Sequence, residues 1–217
     1  MNIEQARRNM VEQQIRPWDV IDQNVLDALY AARREDFVPA AYRNLAFADL
    51  EIPLGCGETM LRPQLEGRIL QTLALRPTDR VLEVGTGSGF MAALLAARAA
   101  HVYTVEIDAE LKAFGEANLA RNGVRNVTVE QGDAARGWTK RAPYDAIVLT
   151  GSVPVLPPEL AEQLAPGGRL FAVVGDAPAM TARLITRIAD GACNELDLFE
   201  TSIAPLRNAP QPQRFRF

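Results

Sequence analysis

Residues 81–90 read VLEVGTGSGF, and the fold follows from how this stretch is read. Val81, Leu82 and Val84 make a short apolar run that ends at once in Gly85, Gly87 and Gly89, after which FMAALLAARAA has helical character. A strand running through a glycine turn into a helix lets a ligand approach the backbone closely, because glycine tolerates tight geometry there. The spacing is G-x-G-x-G, one residue shorter than the dinucleotide fingerprint. Glu83 lies inside the strand, where a buried acid is costly without a partner. Its charge would repel a pyrophosphate but suits a ligand bearing an ammonium or sulfonium group, which disfavours a nicotinamide dehydrogenase. An acid that merely caps the amides of its own turn is the alternative.

Downstream the same beat repeats. HVYTVEI (101–107), NVTVEQGD (126–133), DAIVLTG (145–151) and RLFAVVG (169–175) read as strands. DAELKAFGEANLARNG (108–123) and PPELAEQLAPGG (157–168) read as the helices between them. Short apolar strands alternating with helices imply a parallel sheet covered on both faces. TARLITRIADGACNELDLFETS (181–202) alternates instead like a half-exposed hairpin turning at Asp190-Gly191. PLRNAPQPQRFRF is a proline-punctuated tail.

Upstream, Asn2–Ile15 has helical spacing, and Asp22 opens a second helix with Val25, Leu26, Leu29 and Tyr30 on one face. Residues 37–63 carry scattered prolines and no sustained period, so they read as a long irregular connection, a kind of segment that is usually functional. Pro63 suits the first turn of a third helix striped with Leu65, Ile69, Leu70 and Leu73. The expected fold class is α/β: a Rossmann-like, doubly wound, mostly parallel seven-stranded sheet with an N-terminal helical extension and a C-terminal hairpin. All 217 residues are expected to form one domain, with 1–76 supplying helices and an acceptor-side loop and 77–217 the cofactor-binding core.

Composition narrows the function. At 48% apolar and 23% charged the chain is typical of globular proteins, and a net charge of −4 argues against a broad nucleic-acid footprint, though ARR (6–8) and RFRF (214–217) are local basic clusters. Cys56, Cys193 and the lone His101 compose neither a disulfide framework nor a metal site, and the charged N-terminus is no signal peptide. A cytoplasmic protein without a membrane span is expected.

Glu106 ends the second strand about twenty residues after the first glycine, with Ile107 beside it, where an acid accepts both hydroxyls of a ribose in this fold class. Asp108 reads as a helix cap. Gly132, Asp133 and Ala134 form a turn at the carboxyl end of the third strand, where an acid and backbone amides can meet an adenine edge. Together with Glu83 and the loop Gly85, Thr86, Gly87, Ser88, Gly89, these residues resemble the S-adenosylmethionine site of Rossmann-like methyltransferases. The resemblance implies that the loop cradles the methionine part, Glu106 the ribose, and Asp133 with Ala134 the adenine.

The resemblance extends to the protein-L-isoaspartate O-methyltransferase family over nearly the whole chain to about residue 175. It rests on REDFVP (34–39), AFADLEIPLGCGETMLRP (46–63), VLEVGTGSGF, GDAARGW (132–138) with APYDAIVLTG (142–151), and LAEQLAPGGRL (160–170) with VVG. It implies S-adenosylmethionine as donor, S-adenosyl-L-homocysteine as product, and isoaspartyl carboxylates of aged proteins as acceptors. A carboxylate is already ionised at neutral pH and needs no general base, which suits a chain whose one histidine starts a strand. TGSV (150–153) after the fourth strand is not the Asn/Asp-Pro-Pro-aromatic signature of adenine or glutamine N-methyltransferases, and Cys56 lacks a Pro-Cys setting.

The acceptor loop departs from the family pattern G-x-G-Q-T-I-S-Q-P. This chain has Glu58, Thr59, Met60, Leu61 and Arg62 where the family has Gln-Thr-Ile-Ser-Gln, and Ala134 where it has glycine. The family's active-site serine position is Leu61, which makes no hydrogen bond, so no catalytic residue is assigned. Arg62 is a candidate cation for an acceptor carboxylate, with a solvated arginine at a helix start as the alternative. A different acceptor, such as a small acid or a modified nucleoside, and a catalytically silent cofactor-binding module are the competing readings.

Overall fold

The computed structural model describes residues 2–188 and 191–212. Helix α1 (Ile3–Asn9) is capped by Asn2, whose side chain accepts from Gln5 N, and runs on through a π-helical turn, Met10–Ile15. Asp22 caps α2 (Gln23–Ala31) through Asn24 N. Val25, Leu26 and Leu29 are buried as their spacing requires. Arg7, in the basic cluster ARR, is buried and bonds Glu35 at 2.6 Å, so it fastens α1 inward instead of facing a phosphate. The other cluster, RFRF, lies outside the described residues.

The long connection is less irregular than its prolines suggest. Within it β1 (Ile52–Gly55) and β2 (Glu58–Met60) form an antiparallel hairpin. Its turn, Gly55-Cys56-Gly57, holds three consecutive positive φ angles of 96°, 53° and 82°. Strands this short, with a register irregularity after Pro53, leave no period to read. Helix α3 (Pro63–Leu73) follows with Pro63 in its first turn and Leu65, Ile69, Leu70 and Leu73 buried.

The alternating segment gives β3 (Arg80–Val84), α4 (Phe90–Ala96), β4 (His101–Glu106), α5 (Ala109–Arg121), β5 (Val127–Gln131), β6 (Tyr144–Leu149), α6 (Pro158–Glu162) and β7 (Leu164–Asp176). Helix α6 stops earlier than LAPGG suggested, because Leu164 already pairs with Tyr144 in the sheet. Strands β8 (Ala179–Arg187) and β9 (Cys193–Thr201) complete the expected hairpin, although Asp190 in its turn is outside the described residues. The sheet order is β5-β4-β3-β6-β7-β8-β9. The first five strands in that row are parallel, and β8 and β9 are antiparallel additions.

Alternation along each strand fills two cores. Val81, Ala146, Val148, Phe171 and Val173 face the N-terminal helices and α3–α5. Leu82, Val84, Ile147, Leu149, Leu170 and Ala172 face α6 and the segment after β9. Since β4 and β6 flank β3 on opposite sides, the chain reverses direction across the sheet at β3, and a crevice opens at the carboxyl ends there.

One buried cation ties the N-terminal region to this frame. The Arg34 guanidinium, fully buried, donates to Ala46 O at 2.8 Å and Leu61 O at 2.6 Å, pairs with Glu66 of α3, and lies 4.9 Å from the Phe90 ring centroid. Burial pushes the Glu66 carboxyl up and the Arg34 guanidinium down, and their mutual attraction opposes both shifts. Removing one partner strands the other, at a cost of about 3–5 kcal/mol. In urea denaturation Glu66→Leu is therefore expected to lose about that much, while the double variant Arg34→Met, Glu66→Leu recovers most of it; equal losses in the two would refute this account.

Candidate cofactor and acceptor site

The glycine turn is shaped by its neighbours. Gly85 has φ 97°, and a Cβ there would meet Thr150 Oγ1 at 2.3 Å. Thr150 Oγ1 donates at 2.8 Å toward the carbonyls of Val84 and Gly85, locking the end of β3 to the end of β6. Gly89 caps α4 with φ 81°, and a Cβ there would come within 2.9 Å of Gly115 O. The third glycine thus serves the packing of α4 on α5 and does not line the cleft.

A cleft of about 740 Å³, mouth included, opens over the carboxyl ends of β3, β4, β5 and β6. Gly85, Gly87, Glu106, Ile107, Gly132, Asp133 and Ala134 line it from the sheet, and Glu58, Thr59 and Leu61 line it from the hairpin. A smaller adjoining cleft is lined by Glu83, Thr86, Ser88 and Met60. The structure therefore gathers the sequence-predicted residues into one place, apart from Gly89 and Arg62. Arg62 precedes α3 with its side chain 54% exposed and 3.9 Å from Glu51.

Glu106 is fixed by two backbone amides: Gly87 N donates to Oε2 at 2.9 Å and Asp108 N to Oε1 at 3.1 Å. A carboxylate offers about four acceptor sites, so one on each oxygen remains for a pair of hydroxyls. Asp133 Oδ1 accepts from Ala135 N at 3.0 Å, and Oδ2 accepts from Asn208 Nδ2 at 2.9 Å. Asp108 caps α5 through Glu110 N and Leu111 N.

Glu83 is wholly buried. Its Oε2 accepts from Thr104 Oγ1 at 2.5 Å; because that hydroxyl's proton is so used, Thr86 Oγ1 donates to Thr104 at 2.7 Å. Its Oε1 has no partner. Burial above all, with the Glu106 and Glu66 charges adding, pushes this carboxyl up to about 8. An orphaned, buried carboxyl oxygen beside the glycine loop fits the ammonium of an amino-acid-bearing cofactor, and S-adenosylmethionine supplies one.

Several lining residues escaped the sequence reading. Glu51, Leu54, Thr150, Gly151 and Leu111 take part, as does the run Ile203–Arg207 after the last strand. That run crosses the cleft because Ser152 N donates to Ala204 O and Leu206 N to Ser152 O, both at 2.9 Å. Only the TGSV turn and Pro205 hinted at this pairing. His101 sits at the amino end of β4, bonded to Thr128 Oγ1 at 2.9 Å and against the Tyr103 ring, at the opposite end of the strand from the cleft. Among the described residues no cluster of His, Cys, Asp and Glu could hold a metal ion, and no helix is long and apolar enough to cross a membrane.

A mostly parallel seven-stranded sheet with a glycine turn and acids at three successive strand ends lining one crevice is the architecture of a Rossmann-like methyltransferase. Comparison with known proteins narrows the class. The model of the family Protein-L-isoaspartate(D-aspartate) O-methyltransferase matches residues 5–209, so the likeness runs past residue 175 through the C-terminal strands. A protein-L-isoaspartate O-methyltransferase of Koribacter versatilis is 39% identical over 200 residues, 92% of this chain and 90% of its own length. One from Anaeromyxobacter dehalogenans is 41% identical over 191 residues, 87% of this chain and 91% of its own. A solved protein-L-isoaspartate O-methyltransferase superposes with a TM-score of 0.78 at 25% identity; the alignment covers 92% of this chain and 65% of that one. A Plasmodium falciparum structure of the same description, in complex with S-adenosyl-L-homocysteine, shares the fold with a TM-score of 0.76 at 18% identity, over 95% of this chain and 99% of its own. The chain belongs to the protein-L-isoaspartate O-methyltransferase family, and S-adenosylmethionine is its methyl donor.

The state of Glu83 sets a pH dependence. A folded value near 8 against an ordinary 4.5 means that the native apoprotein holds a proton the unfolded chain has lost. Its contribution to stability is full below pH 4.5 and disappears as pH rises toward 8, by on the order of a few kcal/mol. A ligand ammonium favours the ionised carboxylate, so binding expels the proton. S-adenosyl-L-homocysteine affinity measured by calorimetry is expected to rise by up to about tenfold per pH unit between pH 6 and 8. Glu83→Gln should abolish that slope and weaken binding; an unchanged slope in the variant would assign the proton elsewhere.

Proposed function

We propose that this protein is a carboxyl O-methyltransferase that esterifies isoaspartyl carboxylates in damaged proteins of the cytoplasm. The observation that carries this reading is the meeting, in one cleft, of the family's cofactor residues with Glu58 and Thr59 of the hairpin and Leu61 just after it. In this reading residues 1–76 supply the acceptor side and 77–217 the cofactor side of a single domain.

When bound, the cofactor supplies an electrophilic methyl on a sulfonium. The chain's own residues would hold it: the Gly85–Ser88 turn would face the methionine part, Glu83 Oε1 would take the ammonium, Glu106 the two ribose hydroxyls, and Asp133 with Ala134 the adenine edge. Transfer is an in-line displacement, so the protein's contribution is to hold nucleophile and methyl in attack geometry. An ionised carboxylate needs no proton removed, and among the described lining residues of both clefts there is no histidine, cysteine or lysine to remove one. Arg34 contributes at a distance, since its bond to Leu61 O sets the height of the hairpin over the cofactor.

Leu61 favours one variation on this theme. Its side chain is 7% exposed and belongs to the larger hydrophobic core, so the acceptor meets an apolar wall where the family has a hydroxyl. A small carboxylic acid that makes few contacts with that wall is the second reading.

Labelled S-adenosylmethionine, offered with matched isoaspartyl and aspartyl peptides, should yield base-labile methyl ester on the isoaspartyl peptide only. Absence of ester there would sink the proposal. Leu61→Ser is expected to raise turnover of that peptide by about tenfold, one recovered hydrogen bond. The same change should lower stability by about 2 kcal/mol, since it removes a packed leucine side chain. A variant that gains nothing would locate the acceptor contact elsewhere in the cleft.

A further inference from the structure

We propose that Arg207 is the group that receives the carboxylate of the methyl acceptor. The inference rests on the carboxylate acceptor proposed above and deepens it, because it names the residue that makes the cleft hospitable to an anion.

Charge in the cleft is lopsided. Glu51, Glu58, Glu106 and Asp133 line it. Such walls welcome a cofactor with a sulfonium and an ammonium but repel an acidic acceptor. Among the described residues lining either cleft, Arg207 is the sole cation. Arg62, the cation suggested by sequence, is turned to solvent and Glu51.

Backbone pairing brings Arg207 to the cleft, and its hydrogen bonds then fix the guanidinium. The pairing of Leu206 N with Ser152 O and of Ser152 N with Ala204 O carries the chain across the cleft immediately before it. From there the guanidinium donates from Nε to Glu58 Oε1 at 2.8 Å, from Nη1 to Asp108 Oδ2 at 3.1 Å, and from Nη2 to Cys56 O at 2.6 Å. A guanidinium has five N–H groups, so one remains on each Nη to donate to a carboxylate. The side chain is 38% exposed at the cleft mouth, open to an incoming group. Glu58, three residues before Leu61, occupies the guanidinium in the meantime and competes with the acceptor for it. With leucine at position 61, the anionic acceptor is held by charge instead of by a serine hydroxyl.

A clasp that merely closes the strap would give different results from a carboxylate receptor. The test compares wild type with Arg207→Ala, Arg207→Lys and Glu58→Gln, measuring KM for the isoaspartyl peptide, and for succinate as a small diacid. The dissociation constant for S-adenosyl-L-homocysteine is measured alongside by calorimetry. Arg207→Ala is expected to raise the acceptor KM by about tenfold or more, the weight of one charged hydrogen-bonded contact, with cofactor affinity held within about twofold. Arg207→Lys should recover part of the loss, and Glu58→Gln, which removes the competitor, should not raise KM. If Arg207→Ala and Glu58→Gln both raise KM and both weaken cofactor binding, the residue is only a clasp. If Arg207→Ala weakens cofactor binding and leaves KM alone, it serves the cofactor's own carboxylate. Wild type that esterifies an acid with a KM shared by Arg207→Ala overturns this assignment and leaves the carboxyl methyltransferase standing. Wild type that esterifies neither the peptide nor succinate overturns both.

Discussion

The Arg34 guanidinium is the constraint on which the N-terminal region of this molecule depends. A charge wholly removed from water must be answered on every side. Ala46 O, Leu61 O, the Glu66 carboxylate and the face of Phe90 answer it from four different parts of the chain. Phe90 opens the helix after the glycine turn, and Leu61 closes the hairpin that overhangs it. The height of the hairpin above the glycine turn is therefore fixed from inside the core. A site that works by positioning needs that rigidity more than it needs any single reactive side chain.

The cofactor half obeys a different logic. Its loop glycines, Glu106 and Asp133 come from the ends of parallel strands whose positions are set by ladder hydrogen bonds, and Glu106 is immobilised by the amides of Gly87 and Asp108. Glu83, which lines the smaller cleft, keeps one buried oxygen without a partner among the described residues. A fold tolerates such a deficit where a ligand makes it good, which is the part proposed for Glu83.

Much of this was legible in the sequence for physical reasons. Strands buried on both faces must be short and apolar, so β3, β4, β6 and β7 were plain, and the shortened glycine spacing with Glu83 before it distinguished the ligand. The β1–β2 hairpin was hidden because two brief strands around Pro53 carry no period. Helix α6 was overextended because the pairing of Leu164 with Tyr144 is a long-range fact. The contribution of Ile203–Arg207 was invisible for the same reason: a proline-punctuated tail is positioned by its bonds to Ser152, some fifty residues earlier, and nothing local announces them. Arg62 was the reasonable candidate cation on sequence, being next to Leu61, yet the N-terminus of α3 turns it outward.

The segment that roofs the cleft follows all nine strands of the described residues. A polypeptide emerging from synthesis can lay down β3 to β7 and form the glycine turn, but it still lacks the roof until β8 and β9 have been added and Pro205 to Asn208 have folded back. This late stretch thus joins the hairpin near the start of the chain, through Cys56 and Glu58, to the middle of the chain at Asp108 and Asp133. Possession of a closed cofactor pocket is in this protein a certificate that the whole fold has been completed.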